Sequence, residues 1–285
     1  MREQWAMDDG LVMHWMRVED VYNKTISYAQ NYEDILLSRV FREPGGFYLD
    51  VGANHPVFHS VTKLFSDRGW TGINVEPSPI VFEALRAARP RDVNLNVGLS
   101  DRDATLTFYE TNVYHGWSTF RPELAEHYRG IGVAMAERPV PVTTLARVCA
   151  EHVGDRTIDF LKIDAEGFER EVLLGADFGR WRPRVLLIEN AWPEAWEPLM
   201  AGLDYRLAAF DGLNRFYVRG EDEALIPALA TTVNVLDNFV PYEYVRLIRD
   251  LSARRSLIDT LRRDGPRVAR KLRSAVRRLT GRRAG

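Results

Sequence analysis

The chain has 285 residues, 46% of them hydrophobic and 27% charged. That is long enough to bury a core without staples and too ordinary for a collagen-like, low-complexity or disordered chain. Its net charge of −2 is unevenly spread, with +11 on residues 246–285 and −13 on the other 245, and an acidic body is a poor surface for nucleic acid. The single cysteine, Cys149, excludes an internal disulfide and any cysteine-based metal cluster. No apolar run approaches the ~18 residues of a membrane-spanning helix. Residues 1–10 lack the basic start and apolar stretch of a signal peptide, so a soluble, cytoplasmic protein is expected.

In chain order, Phe47 to Gly52 is a short apolar run after the turn Pro44-Gly45-Gly46, the pattern of a buried strand. A helix is expected over Val61 to Arg68, with Val61, Leu64 and Phe65 on one face and Gly69 closing it. Gly72 to Glu76 reads as a second strand and Ile80 to Ala88 as a helix. Asp92 to Val97 alternates as a third strand, and Thr105 to Tyr109 as its hairpin partner. A loop-rich stretch follows, up to a helix over Thr143 to His152 with a threonine cap. Ile158 to Ile163 is a fourth strand, followed by a helix from Glu166 to Leu174. Arg184 to Glu189 is a fifth strand, and Pro193 to Met200 is helical. Tyr205 to Phe210 and Arg215 to Val218 flank Asp211-Gly212, an Asp-Gly hairpin turn.

Strands and helices alternating this often predict an α/β protein with a doubly wound, mostly parallel sheet and helices on both faces. The terminal hairpin adds one antiparallel strand at the sheet edge. Such sheets bind ligands beyond the carboxyl ends of their strands, and the polar residues gather there. After the first strand, Asp50-Val51-Gly52-Ala53-Asn54 turns sharply at glycine, and the next helix is expected to aim its N-terminal amides and Ser60 at a ligand. The dinucleotide pattern G-x-G-x-x-G and the P-loop are both absent, which disfavours a bound pyrophosphate. Glu76, ending the second strand, is placed to accept hydrogen bonds from two ribose hydroxyls. A glycine turn without a phosphate cradle, joined to a ribose acid, points to S-adenosylmethionine. The fourth strand ends in Asp164-Ala165-Glu166-Gly167-Phe168-Glu169, although Glu166 and Glu169 also suit a helix N-terminus through its dipole. Asp164 and Glu189 together suit a hard cation such as Mg²⁺, or one of them serves as a base.

The motifs Ser27-Tyr28-Ala29-Gln30-Asn31-Tyr32-Glu33-Asp34, Asp50 to Asn54, Gly69 to Pro77, Ile163 to Gly167 and Pro183 to Glu189 together resemble the FkbM family of methyltransferases over residues 25–220. The resemblance implies a class I, Rossmann-like, seven-stranded fold of strand order 3-2-1-4-5-7-6 and transfer of a methyl group to oxygen. It further implies that Gly52 and Asn54 line the cofactor, that Glu76 holds its ribose, and that Asp164 and Glu166 lie near the transferred methyl. Substrates of similar proteins are hydroxyls of sugars, glycans, antibiotics and polyketides. His55-Pro56 departs from the family pattern, standing where many class I enzymes have a second glycine.

The candidate cofactor-binding set is Gln30, Asp50, Gly52, Ala53, Asn54, Ser60, Glu76, Pro77 and Ser100. The candidate catalytic set is Asp164, Glu166 and His115, with His115 in a loop able to cover the site. Trp117, Trp192 and Trp196 are candidates to stack on a sugar face. Methylation of nitrogen or of a small phenol, and a non-catalytic cofactor-binding scaffold, remain as alternatives. The methyltransferase domain is expected over residues 1–240. Residues 241–285 form a basic tail in which Leu247, Ile248, Leu251, Leu257, Ile258 and Leu261 recur at helical spacing. That pattern suits either peripheral contact with an anionic inner membrane through residues 245–285 or a solvated, partly disordered end.

Overall fold

The computed structural model describes residues 23–111, 115–190 and 193–255. They divide into a large unit, Ser27–Phe239, and a small one made of the described residues 23–26 and 240–255. In the first half the elements are β1 (Thr25–Ser27), α1 (Glu33–Ser38), β2 (Phe47–Val51), α2 (Lys63–Asp67), β3 (Thr71–Val75), α3 (Pro79–Ala88), β4 (Val93–Leu95), β5 (Gly98–Leu99) and β6 (Ala104–Glu110). A 3₁₀ turn at His115–Trp117 leads to α4 (Pro122–Gly130), β7 (Ala136–Thr143), α5 (Leu145–His152) and β8 (Phe160–Ile163). Then come α6 (Glu169–Leu174), β9 (Val185–Glu189), α7 (Pro193–Met200), β10 (Tyr205–Phe210), β11 (Asn214–Arg219), α8 (Ile226–Leu229) and β12 (Phe239–Pro241).

Seven strands form one sheet in the order β4-β3-β2-β8-β9-β11-β10. The first five are parallel neighbours, and β11 runs antiparallel to both β9 and β10. Numbered along its own strands the sheet reads 3-2-1-4-5-7-6, the class I order. The antiparallel strand stands one place in from the edge, because the Asp211-Gly212 turn folds β11 back between β9 and β10.

The central strands are buried throughout because both faces are covered. Successive side chains go to opposite faces, so neighbours in sequence feed different cores. Leu49, Leu161 and Leu186 join one apolar cluster with Val148 and Trp196. Tyr48, Phe160, Val185 and Leu187 join the other with Phe65 and Trp70. Phe160 anchors the second core, its ring 4.9 Å from that of Phe65 and 5.8 Å from Tyr48.

Four expectations change. The stretch after Tyr109 contains a helix, α4, and a strand, β7, where the sequence reads as loop. The segment 105–109 is not the hairpin partner of the third strand; it belongs to β6, which pairs antiparallel with β7 in a separate three-stranded sheet, β5-β7-β6. Prolines hid β7, since a proline argues against an interior strand. Pro139 and Pro141 are two apart, so both missing N–H groups fall on one side, and β5 pairs only beyond them, at Val142 and Thr143. The helix expected from Glu166 starts at Glu169, because Glu166 and Gly167 both have positive φ. The helix after the first strand is short and starts at Lys63, so a long turn separates it from Gly52. The threonine cap does form, with Thr144 Oγ1 accepting the Arg147 N–H.

In the small unit, β1 and β12 form a two-stranded sheet and residues 242–255 are helical. Val245 and Ile248 pack with Ile26 and Val240, while Tyr244, Leu247 and Leu251 are exposed. Residues 256–285, most of the basic tail, lie outside the described residues. Among the described residues no helix is long and apolar enough to cross a membrane.

Candidate active site

The carboxyl ends of β2, β3 and β8 converge on a cavity that opens to solvent. Gly52 and Asn54 line it from the turn after β2, Glu76 and Pro77 from the end of β3, and Asp164 and Glu166 from the turn after β8. The apolar side comes largely from the smaller sheet and its following loop, with Leu99, Phe108 and Phe120.

Gly52 is obligatory in this geometry. Its φ is +72°, and a Cβ there would stand 1.8 Å from the Asp164 carbonyl oxygen. The turns after β2 and β8 therefore touch backbone to backbone, which only glycine permits. Across that contact Asn54 and Glu166 also take left-handed conformations, at φ 48° and 49°, a strain usually seen at functional turns.

Glu76 is buried with both oxygens held: Oε2 accepts the Asn54 N–H at 2.8 Å and Oε1 the Ser78 N–H at 2.8 Å. Burial outweighs these bonds and pushes its carboxyl up to about 7. Each oxygen keeps a second lone pair for an outside donor.

Below the cavity floor lies Lys162, buried at the end of β8. Register puts it opposite Asp50 on β2. Its ammonium donates to the Gly52 carbonyl at 2.9 Å and pairs with Asp50 Oδ1 at 3.3 Å and Asp164 Oδ2 at 3.2 Å. Burial works to lower its pKa, but the carboxylates of Asp164 and Asp50 outweigh that and hold it above the ordinary lysine value.

On the other side three carboxylates gather. Asp164, Glu166 and Glu189 each bring an oxygen within 4.8 Å of the others. Burial first, then the charges of Asp164 and Glu169, push Glu166 up to about 9. Burial and the charges of Asp164, Glu166 and Glu169 push Glu189 up to about 11. Among the described residues Glu189 Oε2 is buried without a hydrogen-bond partner, the sign of a group that a donor or a cation would satisfy. Glu169 differs: its Oε1 accepts the Ala165 and Gly167 N–H groups at 2.9 and 3.1 Å. It caps the turn that carries Asp164 and Glu166.

A strap crosses the cavity after β6. Gly116, Ser118 and Phe120 line it. Thr119 Oγ1 donates to the Glu166 carbonyl at 2.7 Å, and the Arg121 guanidinium donates to the Gly167 carbonyl. His115 starts the 3₁₀ turn in this strap; its side chain lies outside the described residues.

Several expected residues stand elsewhere. Ser60 is buried and accepts from the Arg89 guanidinium at 3.2 Å, so it braces the long turn instead of facing the cavity. Asp50 lies beneath the floor, bound by Lys162 and by Thr62 Oγ1 at 2.8 Å. Ala53 and Ser100 are buried and Gln30 is exposed, and none of the three lines the cavity. Trp196 is 1% exposed and packs within the core, and Trp192 lies outside the described residues.

Two residues escaped the sequence reading. Lys162 was visible as one of four lysines among 38 basic residues, set in an otherwise apolar strand. Tyr128 carried no signal, because its helix read as loop. It stacks on Trp117, ring centroids 5.0 Å apart at 13°.

The family model described as the methyltransferase FkbM domain matches residues 50–211. The methyltransferase sdnD of Sordaria araneosa is 30% identical over 181 residues, covering 53% of this chain and 67% of that protein. The 31-O-demethyl-FK506 methyltransferase FkbM of Streptomyces tacrolimicus is 32% identical over 174 residues, covering 50% of this chain and 63% of that protein. Among solved structures, a methyltransferase FkbM from Methylobacillus flagellatus KT aligns at 14% identity with a TM-score of 0.39, over 73% of this chain and 52% of that one. A TehB-like methyltransferase from Corynebacterium glutamicum aligns at 10% identity and a TM-score of 0.36, over 74% of this chain and 96% of that one.

Proposed function

Because the chain belongs to the FkbM methyltransferase family, we propose that it transfers a methyl group from S-adenosylmethionine to a hydroxyl of a sugar, glycan or natural product. One observation carries the reading: a cavity at the strand ends is lined by a backbone-held acid on one side and, on the other, by Asp164 and Glu166, two of three clustered carboxylates. The residues present fit the cofactor. Gly52 leaves room where any side chain would collide with Asp164. Glu76 offers two oxygens fixed for a pair of ribose hydroxyls, and Leu99, Phe108 and Phe120 supply apolar walls for a planar base. Transfer to oxygen also suits the relative named as acting on 31-O-demethyl-FK506.

When bound, the sulfonium supplies a methyl group already activated toward in-line displacement. What the chain must add is position and proton handling. Holding the acceptor oxygen ~3–3.5 Å from the reacting carbon is worth several kcal/mol. An alcohol is a poor nucleophile, so its proton must be taken up. Asp164 pairs with Lys162 and lines the cavity, so it is the carboxylate placed to take that proton. Glu166 and Glu189, pushed up to about 9 and about 11, already hold their protons at neutral pH, so they serve as hydrogen-bond donors beside it and not as the proton acceptor. A second reading has the same three carboxylates hold Mg²⁺, a hard cation suited to oxygen ligands; their mutual approach favours it.

Labelled S-adenosylmethionine offered with a panel of glycosides, deoxysugars and macrolides tests the activity. Label on a hydroxyl oxygen supports the reading. Label only on amines or phenols, or none, overturns it. Activity lost to EDTA and restored by Mg²⁺ selects the cation; indifference selects the base.

For the basic tail, we propose peripheral contact with an anionic membrane. Support comes from the helix 242–255, where Tyr244, Leu247 and Leu251 are exposed at helical spacing. Cosedimentation with anionic liposomes at ~0.1 M salt should pellet the full chain and leave a chain ending at Pro241 in solution. Equal behaviour of the two overturns it.

A further inference from the structure

The acid at the end of β3 is aimed by a neighbour that is itself held from the smaller sheet. Ser78 is buried, and its N–H donates to Glu76 Oε1 at 2.8 Å. Ser78 also stands at the N-cap of α3, where a serine hydroxyl ordinarily accepts an amide of the first helical turn. Among the described residues it makes no such bond. Its hydroxyl donates instead to Glu110 Oε1.

Glu110 ends β6, two residues after Phe108, so both side chains leave the strand on one face. Phe108 lines the cavity, whereas Glu110 does not and reaches the turn after β3. Glu110 is buried, with its second oxygen also engaged. Oε2 pairs with Arg138 Nη2 at 2.9 Å, and Arg138 stands on β7 opposite Phe108, diagonal to Glu110. A buried carboxylate is costly unless it is paired and hydrogen-bonded, and an apolar residue would fill the end of β6 without that cost. The charge holds a turn that other bonds pin only in part. Asn96 Nδ2 donates to the Glu76 and Pro77 carbonyls at 2.8 and 3.1 Å, and the Glu76 N–H donates to the Leu95 carbonyl. The Ser78 N–H, which meets the acid itself, is left to the Ser78–Glu110 bond.

We propose that Glu110 is a positioning residue for the cofactor: anchored by Arg138, it fixes Ser78, and Ser78 aims Glu76 at the ribose. The inference rests on the methyl-transfer reading above and adds to it a residue that acts through two others.

Two measurements test it, one with ligand and one without. In calorimetry, Ser78→Ala and Glu110→Ala should each weaken S-adenosylhomocysteine binding roughly three- to tenfold, about the loss of one hydrogen bond. The double variant should bind no more weakly than the worse single one, because both changes break the same link. Ser78→Thr keeps the hydroxyl and should bind as the parent does. Without ligand, carbon-13 NMR follows the Glu76 carboxyl, assigned by its absence in Glu76→Gln, through its titration near pH 7. Loosening a donor to the charged form raises a carboxyl, so Ser78→Ala should move that titration up and Ser78→Thr should leave it in place. Ser78→Ala removes no charge, and the charges facing Glu76, those of Lys162 and Asp50, stay as they are. Additive losses in the double variant overturn the proposal. So does an unmoved titration in Ser78→Ala, even with a lowered Tm, since packing alone would give that result. A parent chain that binds no S-adenosylhomocysteine sinks the methyl-transfer reading. A parent that binds it, with Ser78→Ala binding equally well, sinks only the role of Glu110.

Discussion

The two sides of the cavity treat buried acids in opposite ways. On the β3 side Glu76 has both oxygens fixed by backbone N–H groups, so the group is aimed before any ligand arrives. On the β8–β9 side Asp164, Glu166 and Glu189 crowd one another, and Glu189 Oε2 has no hydrogen-bond partner among the described residues. The first side is complete and needs only a donor of matching shape. The second is electrostatically unfinished, and a proton, a cation or a hydroxylated ligand must finish it. Lys162 joins the two, holding the Gly52 carbonyl on one side and Asp164 on the other. Binding geometry is built in where nothing need change; charge is left unbalanced where a proton has to move.

Removing Lys162 should break this division most severely. Lys162→Met leaves Asp50 buried without its counter-charge, and losing one partner of a buried pair costs about 3–5 kcal/mol. Denaturant unfolding should show that loss, and Asp50→Asn in the same chain should restore much of it. If the single variant is as stable as the parent, the ammonium does not hold the two turns together.

Next in size is Asp164→Asn, which should lower turnover ~10²-fold or more while leaving the cofactor side and its affinity nearly intact. A drop in cofactor affinity of the same size would mean that the two sides are not separable.

Glu76→Ala should do the opposite, weakening S-adenosylhomocysteine binding by the ~1.5–3 kcal/mol of a hydrogen bond to a charged group. Calorimetry across pH sharpens this. The ionised carboxyl accepts two hydroxyls, and burial sets its pKa at about 7. Affinity should therefore be full above that value and fall as the pH drops through it, and Glu76→Gln should abolish the dependence.

The smallest effect concerns stability on the unfinished side. Burial, then the charges of the neighbouring acids, push Glu189 from the ordinary carboxyl value of 4.5 up to about 11, so the folded state binds the proton more tightly than the unfolded one. Its ionisation costs nothing below pH 4.5 and progressively more stability as pH rises toward 11. In EDTA, Glu189→Gln should raise Tm by a few degrees at pH 8, where about 1 kcal/mol moves Tm by ~2–4 °C, and the gain should vanish near pH 5. A gain independent of pH would show that crowding of side chains, not charge, strains the cluster.

The sequence by itself determined the sheet and the ligand side of it. Apolar runs such as Phe160 to Ile163 can only be central strands, and the Asp211-Gly212 turn can only make a hairpin, because both patterns are local. The glycine after β2 and the acids after β3 and β8 were legible for the same reason: strand ends carry the polar residues that buried strands cannot. Tertiary structure decided what depends on residues far apart in the chain. The Glu189–Asp164 approach follows from parallel pairing of β8 with β9. Ser60 lost its expected role because Arg89, 29 residues later, claims it. The smaller sheet stayed hidden because its prolines mask β7, whose partners become visible only once the chain has folded. With it was hidden the strap that brings Trp117 onto Tyr128. Local propensity reports what a segment can become; burial and long-range pairing set which charges must share one space, and that sharing is what gives this cavity its chemistry.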